Sequence, residues 1–423
     1  MNLSQPASKR GSFSDPYRIK IITIGQILVP IFLLLNIVLT ANEWDIGRVF
    51  YIFALLLCVY CSFRSKLLFP ILICVSFIFV FRVLEVLQPN ISMFRPILTS
   101  CLFILFGMVL YATNLVNITK VLVWFAVLSV PILISQILGL HEFLFYWGND
   151  GLHDPNLMFT DEIGSFKSLP MYPTFMIRAD DITYSIIQGR PSGLMANNNV
   201  SSVLVAFAFI LNLYVRPRNS QYFSDAIISL AVVLIMSKYL FVVVLLSIIL
   251  AMIGNHDRSR RVANKCAVYL FVWIIGYALI FPGLFSINFG SASITYSFWA
   301  RFIDIFNIIG TESSLMLSSE VIQQYGLELD GNGYLDSHPL LRLLSTAYFT
   351  FGLSLLLVLF YFFGFKKHMD VLKASNLSDY YLKRMLLLAS VLAIPVMPNF
   401  VIMSIYMLLC GIIFTSDRRA FTR

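Results

Sequence analysis

Two polar stretches between apolar runs hold the residues best suited to chemistry. The first reads Arg190-Pro-Ser-Gly193-Leu-Met-Ala-Asn197-Asn198-Asn199-Val-Ser201-Ser202. Three consecutive Asn and two Ser open an apolar run. A helix start of this kind offers free backbone N–H groups to a phosphate. Arg190 adds a planar, permanently charged, two-pronged donor. The competing reading is plain N-capping by Asn and Ser. The second stretch reads Gly333-Tyr-Leu-Asp336-Ser337-His338-Pro339-Leu-Leu-Arg342. His338 has a side chain whose ordinary pKa lies near neutrality, so it can take a proton from a hydroxyl. Its competing reading is a structural histidine. Arg301, after Tyr296-Ser-Phe-Trp-Ala, and Arg342, at the entrance to an apolar run, are the further candidates for holding an anion. For each arginine the alternative is a side chain that snorkels to lipid phosphates.

Other residues fit chemistry less well. His256 and His368 lie in basic loops, and His141 and His153 in a long mixed loop. Asp180-Asp181 has the charge to bind a metal, but no His or second acidic cluster lies near it. Cys58-Val-Tyr-Cys61 has metal-site spacing inside an apolar segment, without a second pair. We therefore read the cysteines as small packing side chains and expect neither a metal nor a cofactor.

The elements that position these residues follow from composition. The chain has 423 residues, 59% hydrophobic and 12% charged, with a mean hydropathy of +0.83. Soluble domains carry about 25% charged residues. That gap argues against a soluble enzyme, a disordered chain and a nucleic-acid-binding module. The apolar runs are continuous rather than alternating, which argues against a β-barrel. The amino-terminal polar stretch and the long run after it read as a first membrane helix, not a signal peptide.

Apolar segments fall at 20–40, 48–63, 67–81, 96–113, 121–140, 194–214, 223–237, 239–254, 266–284, 339–363, 385–399 and 400–415. At about 20 residues per crossing, they predict an all-α, polytopic transmembrane bundle of about 12 spans. Residues 1–423 then form one integral membrane domain. The run 223–254 divides at Ser237-Lys238, because a Lys at mid-membrane is costly. The run 385–415 divides at Pro395-Val-Met-Pro398-Asn399. With the amino terminus inside, only nine of the 30 basic residues face outward: Arg48, Arg82, Arg95, Lys167, Arg178, Arg190, Lys238, Arg301 and Arg342. This bias predicts both termini in the cytoplasm and accounts for the net charge of +8. Two long loops, 141–193 and 285–338, fall outside. Their mixed polarity predicts short amphipathic helices at the membrane face, and loops of this length are commonly functional.

With these motifs and spans, the sequence resembles the O-antigen ligase/polymerase superfamily of bacterial inner-membrane glycosyltransferases. Arg190-x-x-Gly193 followed by Asn197 to Asn199 is similar to that family's Arg-x-x-Gly motif and Asn-bearing helix start. Arg301 is similar to its second-loop arginine. His338, with Gly352 downstream, is similar to its histidine before a span. The resemblance covers roughly residues 185–360 and the overall topology. Asn198 stands where the family often has Pro, and Pro339 where it often has Asn.

The resemblance implies a glycan donor linked to undecaprenyl pyrophosphate and a glycan acceptor. It implies an active site facing the periplasm and no metal. Anomeric bond breakage passes through an oxocarbenium-like transition state. Pyrophosphate already leaves well, so the site needs positive charge rather than a general acid. Arg190 and Arg301 would supply that charge, and His338 would deprotonate the acceptor hydroxyl. Arg178, Gly193, Asn197, Asn199 and Arg342 would bind substrate. The lipid bilayer is one partner; a chain-length-regulating co-polymerase and a flippase are others, and nucleic acid is not. The products would be O-antigen, capsule or exopolysaccharide. Two alternatives stay open: a ligase that transfers glycan to lipid A–core, and a transporter or flippase. An acidic base at Glu43-Trp-Asp45 fits poorly, because that loop is too short to build a sugar site.

Overall fold

The computed structural model describes residues 16–41, 46–63, 65–87, 94–111, 115–137, 193–194, 198–215, 222–254, 257–282, 377–393 and 403–414. Among these residues every regular element is an α-helix. In chain order they are α1 (Pro16–Ala41), α2 (Ile46–Ser62), α3 (Leu68–Leu87), α4 (Phe94–Tyr111), α5 (Val116–Ile137), α6 (Asn198–Val215), α7 (Tyr222–Ile235), α8 (Lys238–Ile253), α9 (Asp257–Ile280), α10 (Leu377–Ala393) and α11 (Met403–Phe414). The expected segment 339–363 lies outside the described residues, as do most of both long loops.

Helix ends follow local chemistry. Pro16 opens α1, where a missing N–H costs nothing. Phe281, just before Pro282, ends α9, and its amide donates to the Tyr277 carbonyl at 2.8 Å. The expected division near Ser237 is present. Met236 adopts a φ of 55°, in the left-handed region, and stops the helix.

Two helices begin earlier than apolar patterning predicts. The first turns of α9 bury Ser259, Val262, Ala263 and Cys266 and expose Arg260 and Arg261. In α10, Leu382 and Lys383 are buried while Arg384 is exposed. A hydropathy window averages such amphipathic turns to neutral and misses them.

Among the described residues, three helical stretches are long and apolar enough to cross a membrane: Lys20–Leu39, Val116–Ser135 and Ser259–Ile280. Shorter apolar helices accompany them. Large apolar side chains face outward on α2, α3, α5, α8 and α9; Phe69 is 73% exposed and Leu279 is 77% exposed. An outer surface this apolar is suited to lipid rather than water. The protein is therefore helical and membrane-associated.

Contacts fix how helices run. Gln26 on α1 donates to the Leu110 carbonyl near the end of α4. It also accepts from Asn117 at the start of α5, at 3.3 Å. One α1 side chain thus ties the end of α4 to the start of α5. On α9, the Lys265 ammonium sits over the Tyr222 ring, and the Trp273 indole donates to the Ala226 carbonyl at 3.2 Å. Both contacts advance along α7 and α9 in the same direction, so these helices run parallel. α6 and α9 each pack against both α7 and α8.

A close backbone contact joins α4 and α11. Gly107 and Gly411 face each other there, and a Cβ on Gly411 would lie 2.8 Å from the Gly107 Cα. Helices in lipid gain association energy from such close backbone approach. Phe103, Phe106, Phe207 and Tyr406 are fully buried around this region.

Candidate functional site

Gly193 anchors what is described of the Arg-x-x-Gly motif. Its φ is +64°, a conformation that side-chain-bearing residues rarely adopt. The residue is buried, and a Cβ on it would meet the Ser129 Cβ at 3.2 Å and the Leu133 Cγ at 3.4 Å. Two independent constraints, backbone angle and space, therefore select glycine.

The seat for Gly193 is on α5. Ser129 donates to the Phe125 carbonyl at 2.9 Å, and Ser135 to the Ile132 carbonyl at 2.8 Å. Pro131 lies between them and removes one helical amide. At 1.5 Å of rise per residue, Ser129 and Leu133 lie about 12 and 6 Å from the end of α5 at Ile137. Gly193 therefore sits inside the helical layer, not above it.

From there the chain enters α6. Its first turn begins at Asn198 and includes Asn199, and Ser201 and Ser202 are fully buried. α6 packs on α5, so the helix start and the Gly193 seat belong to one assembly. The side chains of Asn198 and Asn199 lie outside the described residues. So do Arg178, Arg190, Asn197, Arg301, His338 and Arg342, and the other residues weighed above: His141, His153, His256, His368, Asp180, Asp181, Glu43 and Asp45.

Metal chemistry finds no frame in the part described. No group of three or more His, Cys, Asp or Glu is placed to hold an ion among the described residues. Cys58 and Cys61 are buried on α2. The Cys61 thiol donates to the Ile21 carbonyl on α1 at 3.6 Å, and Gly25 leaves room for its sulfur. Cys61 packs between α1 and α2, and Cys58 is buried on α2.

Sequence reasoning passed over several buried polar residues. Asp225 is fully buried in the first turn of α7, where Asn212 on α6 donates to its carboxylate at 2.9 Å. Ser229 donates to the Asp225 carbonyl at 2.7 Å. Lys383 is only 1% exposed on α10. The Tyr214 hydroxyl is buried with no hydrogen-bond partner among the described residues. For Asn212 and Asp225 the signal in the sequence is a polar residue inside an apolar run; Lys383 sits in a polar stretch and gives none. An intramembrane polar residue needs a partner, and that rule points to Asp225 without naming Asn212.

No family model, curated protein or solved structure matches this chain.

Proposed function

We propose that this protein is a membrane glycosyltransferase of the O-antigen ligase/polymerase type. It polymerises undecaprenyl-pyrophosphate-linked repeat units at the outer face of the bacterial inner membrane. The observation that carries this reading is the seat of Gly193. In the motif Arg190-Pro-Ser-Gly193 the glycine is buried at φ +64° against Ser129 and Leu133, five residues before α6 starts at Asn198. A glycine held this way gives the chain before α6 a fixed point inside the helical layer, which supports the reading that the motif's Arg190 is positioned. That is what a residue meant to meet a lipid pyrophosphate requires.

The reading assigns twelve spans, both termini in the cytoplasm and both long loops outside. Arg190 and Arg301 neutralise charge growing on the pyrophosphate as the anomeric C–O bond breaks. The acceptor oxygen forms the new bond to the anomeric carbon and gives its proton to His338. Arg178, Arg342, Asn197 and Asn199 hold the donor.

The test is chain growth by purified protein on a defined undecaprenyl-pyrophosphate-linked repeat unit, with chelator present. The expected result is a ladder of longer glycans with release of undecaprenyl pyrophosphate. Transfer only onto lipid A–core would assign a ligase. Movement of unaltered donor across proteoliposomes without chain growth would assign a transporter and overturn the reading. Reporter fusions test the topology separately. Fusions after Asp150 and Ser318 should read as extracytoplasmic, and one after Arg261 as cytoplasmic. A cytoplasmic signal after Ser318 would sink the twelve-span arrangement.

A further inference from the structure

One end of the helical layer carries a second kind of chemistry, unrelated to the outer loops. Here α8 closes at Gly254, whose amide donates to the Leu250 carbonyl at 2.9 Å, and α9 starts at Asp257. Tyr381 of α10 packs on that turn, with ring carbons 3.2 Å from where a Gly254 Cβ would sit. Tyr222 opens α7 at the same end, beside α9. Four elements therefore converge there: the start of α7, the α8–α9 turn, the first turns of α9 and the start of α10.

Two cations at this end are backed by tyrosines. The Lys265 ammonium lies 4.0 Å from the centroid of the Tyr222 ring. The Arg384 guanidinium lies 6.0 Å from the Tyr380 ring, and its NH1 donates to the Tyr380 hydroxyl at 3.1 Å. The Tyr380 and Tyr381 rings themselves meet edge to face at 5.2 Å. Arg384 is exposed, as are Arg260 and Arg261 on α9. Tyr222 and Phe223 are 61% and 62% exposed.

The charge is one-sided. The first turns of α9 hold Arg258, Arg260, Arg261 and Lys265 against the single acid Asp257. α10 adds the exposed Arg384 and the buried Lys383 against Asp379, and the start of α7 holds Asp225, buried and bound by Asn212. Residues 259, 262, 263 and 266 are buried, so the packed face holds Arg260 and Arg261 outward. The apolar part of α9 follows directly. This stretch therefore lies where a crossing helix enters the headgroup layer. Tyrosine favours that layer because its ring suits acyl chains and its hydroxyl suits water. A cation held on a ring face has fewer positions to search. Its remaining donors are then ready for an anion.

We propose that this end binds anionic phospholipid headgroups, with Lys265 on Tyr222 and Arg384 on Tyr380 as the two phosphate-holding points. Tyr222 and Phe223 pack against the glycerol and upper acyl region beside Lys265. Basic clusters at the end of a crossing helix attract anionic lipid, and each cation contributes separately. The site goes beyond glycosyl transfer and needs only membrane association.

The experiment is native mass spectrometry of the full-length protein titrated with phosphatidylglycerol or phosphatidylcholine in detergent. Wild type should retain phosphatidylglycerol in preference to phosphatidylcholine, and raised salt should weaken that retention. The double variant Lys265→Gln/Arg384→Gln should weaken phosphatidylglycerol binding by about ten- to thirty-fold. The control is Lys66→Gln/Lys120→Gln, which removes equal charge from exposed positions elsewhere; it should change binding less than about two-fold. Tyr222→Leu/Tyr380→Leu keeps both charges and should give an intermediate loss. Equal weakening in the two Lys/Arg double variants would reduce the effect to general charge and overturn the site. Equal retention of both lipids by wild type would overturn it outright, without reference to any variant. In that case the basic end would be left to an acidic protein partner.

Discussion

The hydroxyl of Tyr406 on α11 donates a 2.9 Å hydrogen bond to the Ser390 carbonyl on α10. One residue earlier, the Ala389 carbonyl accepts from Tyr239 on α8, also at 2.9 Å. α10 ends at Ala393, two residues before Pro395. The last carbonyls of a helix have no amide of their own, and in an apolar interior none can turn to water. Ser390 is the first of the last four carbonyls of α10, so Tyr406 helps to finish that helix, whereas Ala389 lies one residue further inside and its bond ties α8 to α10; Cys410 adds a contact to the Ser390 hydroxyl at 3.7 Å.

Removing one of those hydroxyls should be measurable. Tyr406→Phe should cost about 1 kcal/mol, the scale of an interhelical hydrogen bond in lipid, read as a lower Tm in detergent. Tyr214→Phe is the comparison. The Tyr214 hydroxyl is buried without a partner among the described residues, so its loss should leave Tm unchanged or raise it. An equal fall in both variants would mean that ring repacking, not the hydrogen bond, sets the effect.

Gly107→Ala and Gly411→Ala should each separate α4 from α11. The added methyl on Gly107 would lie 2.9 Å from the Gly411 Cα, and on Gly411 2.8 Å from the Gly107 Cα. Backbone cannot rotate away as a side chain can, so the helices must move, at about 1–3 kcal/mol. Gly276→Ala should be silent, since nothing among the described residues lies within 4 Å of its Cβ position. Thermal unfolding followed by fluorescence-detected gel filtration separates these cases. A normal Tm for Gly411→Ala would show that this crossing is loose.

The apolar helices are legible in the sequence because lipid demands long apolar runs. The break at Met236 was also expected within a residue, from the cost of Lys238 at mid-membrane. Amphipathic first turns escaped: hydropathy cannot see that Ser259, Val262 and Cys266 share one face while Arg260 and Arg261 share another. Partner choice escaped too. Gln26 and Asn117 are 91 residues apart, and nothing local says that they meet. In the candidate site, Gly193 was singled out from its motif. Its seat on Ser129 and Leu133 depends on how α5 packs, which no spacing rule reports.

Gly193→Ala tests that seat. A left-handed angle costs an L-residue about 1–2 kcal/mol, and the methyl also presses on Ser129. We expect reduced chain growth together with a lower Tm. Adding Ser129→Gly removes the steric part and should recover some of the loss, while the backbone part stays. Gly193→Ala with unchanged product length would show that the motif glycine does not position Arg190.

Arg190→Lys and Arg301→Lys should each lose most activity while the protein inserts and expresses normally. Lys keeps the charge but not the paired N–H fork that matches two phosphate oxygens. The readout is glycan length on a gel from purified protein and defined donor. Normal-length product from both variants would make these arginines lipid anchors.

His338 carries the last expectation. If pyrophosphate leaves on the charge of the two arginines without a general acid, the function still required is deprotonation of the acceptor hydroxyl. A positioned base contributes about 10²–10⁴-fold. His338→Ala should therefore accumulate lipid-linked single units, with stability and donor binding retained. His338→Gln should be as inactive, because an amide keeps hydrogen bonding but takes no proton near neutral pH. The same changes at His141, His153, His256 or His368 should be milder, since those positions lack the loop-to-span setting beside Asp336 and Ser337. Donor binding, measured in parallel, separates loss of the base from loss of the site. Full-length product from His338→Gln would move the base elsewhere, with Glu320 and Asp336 next to test, or show that acceptor attack proceeds without one.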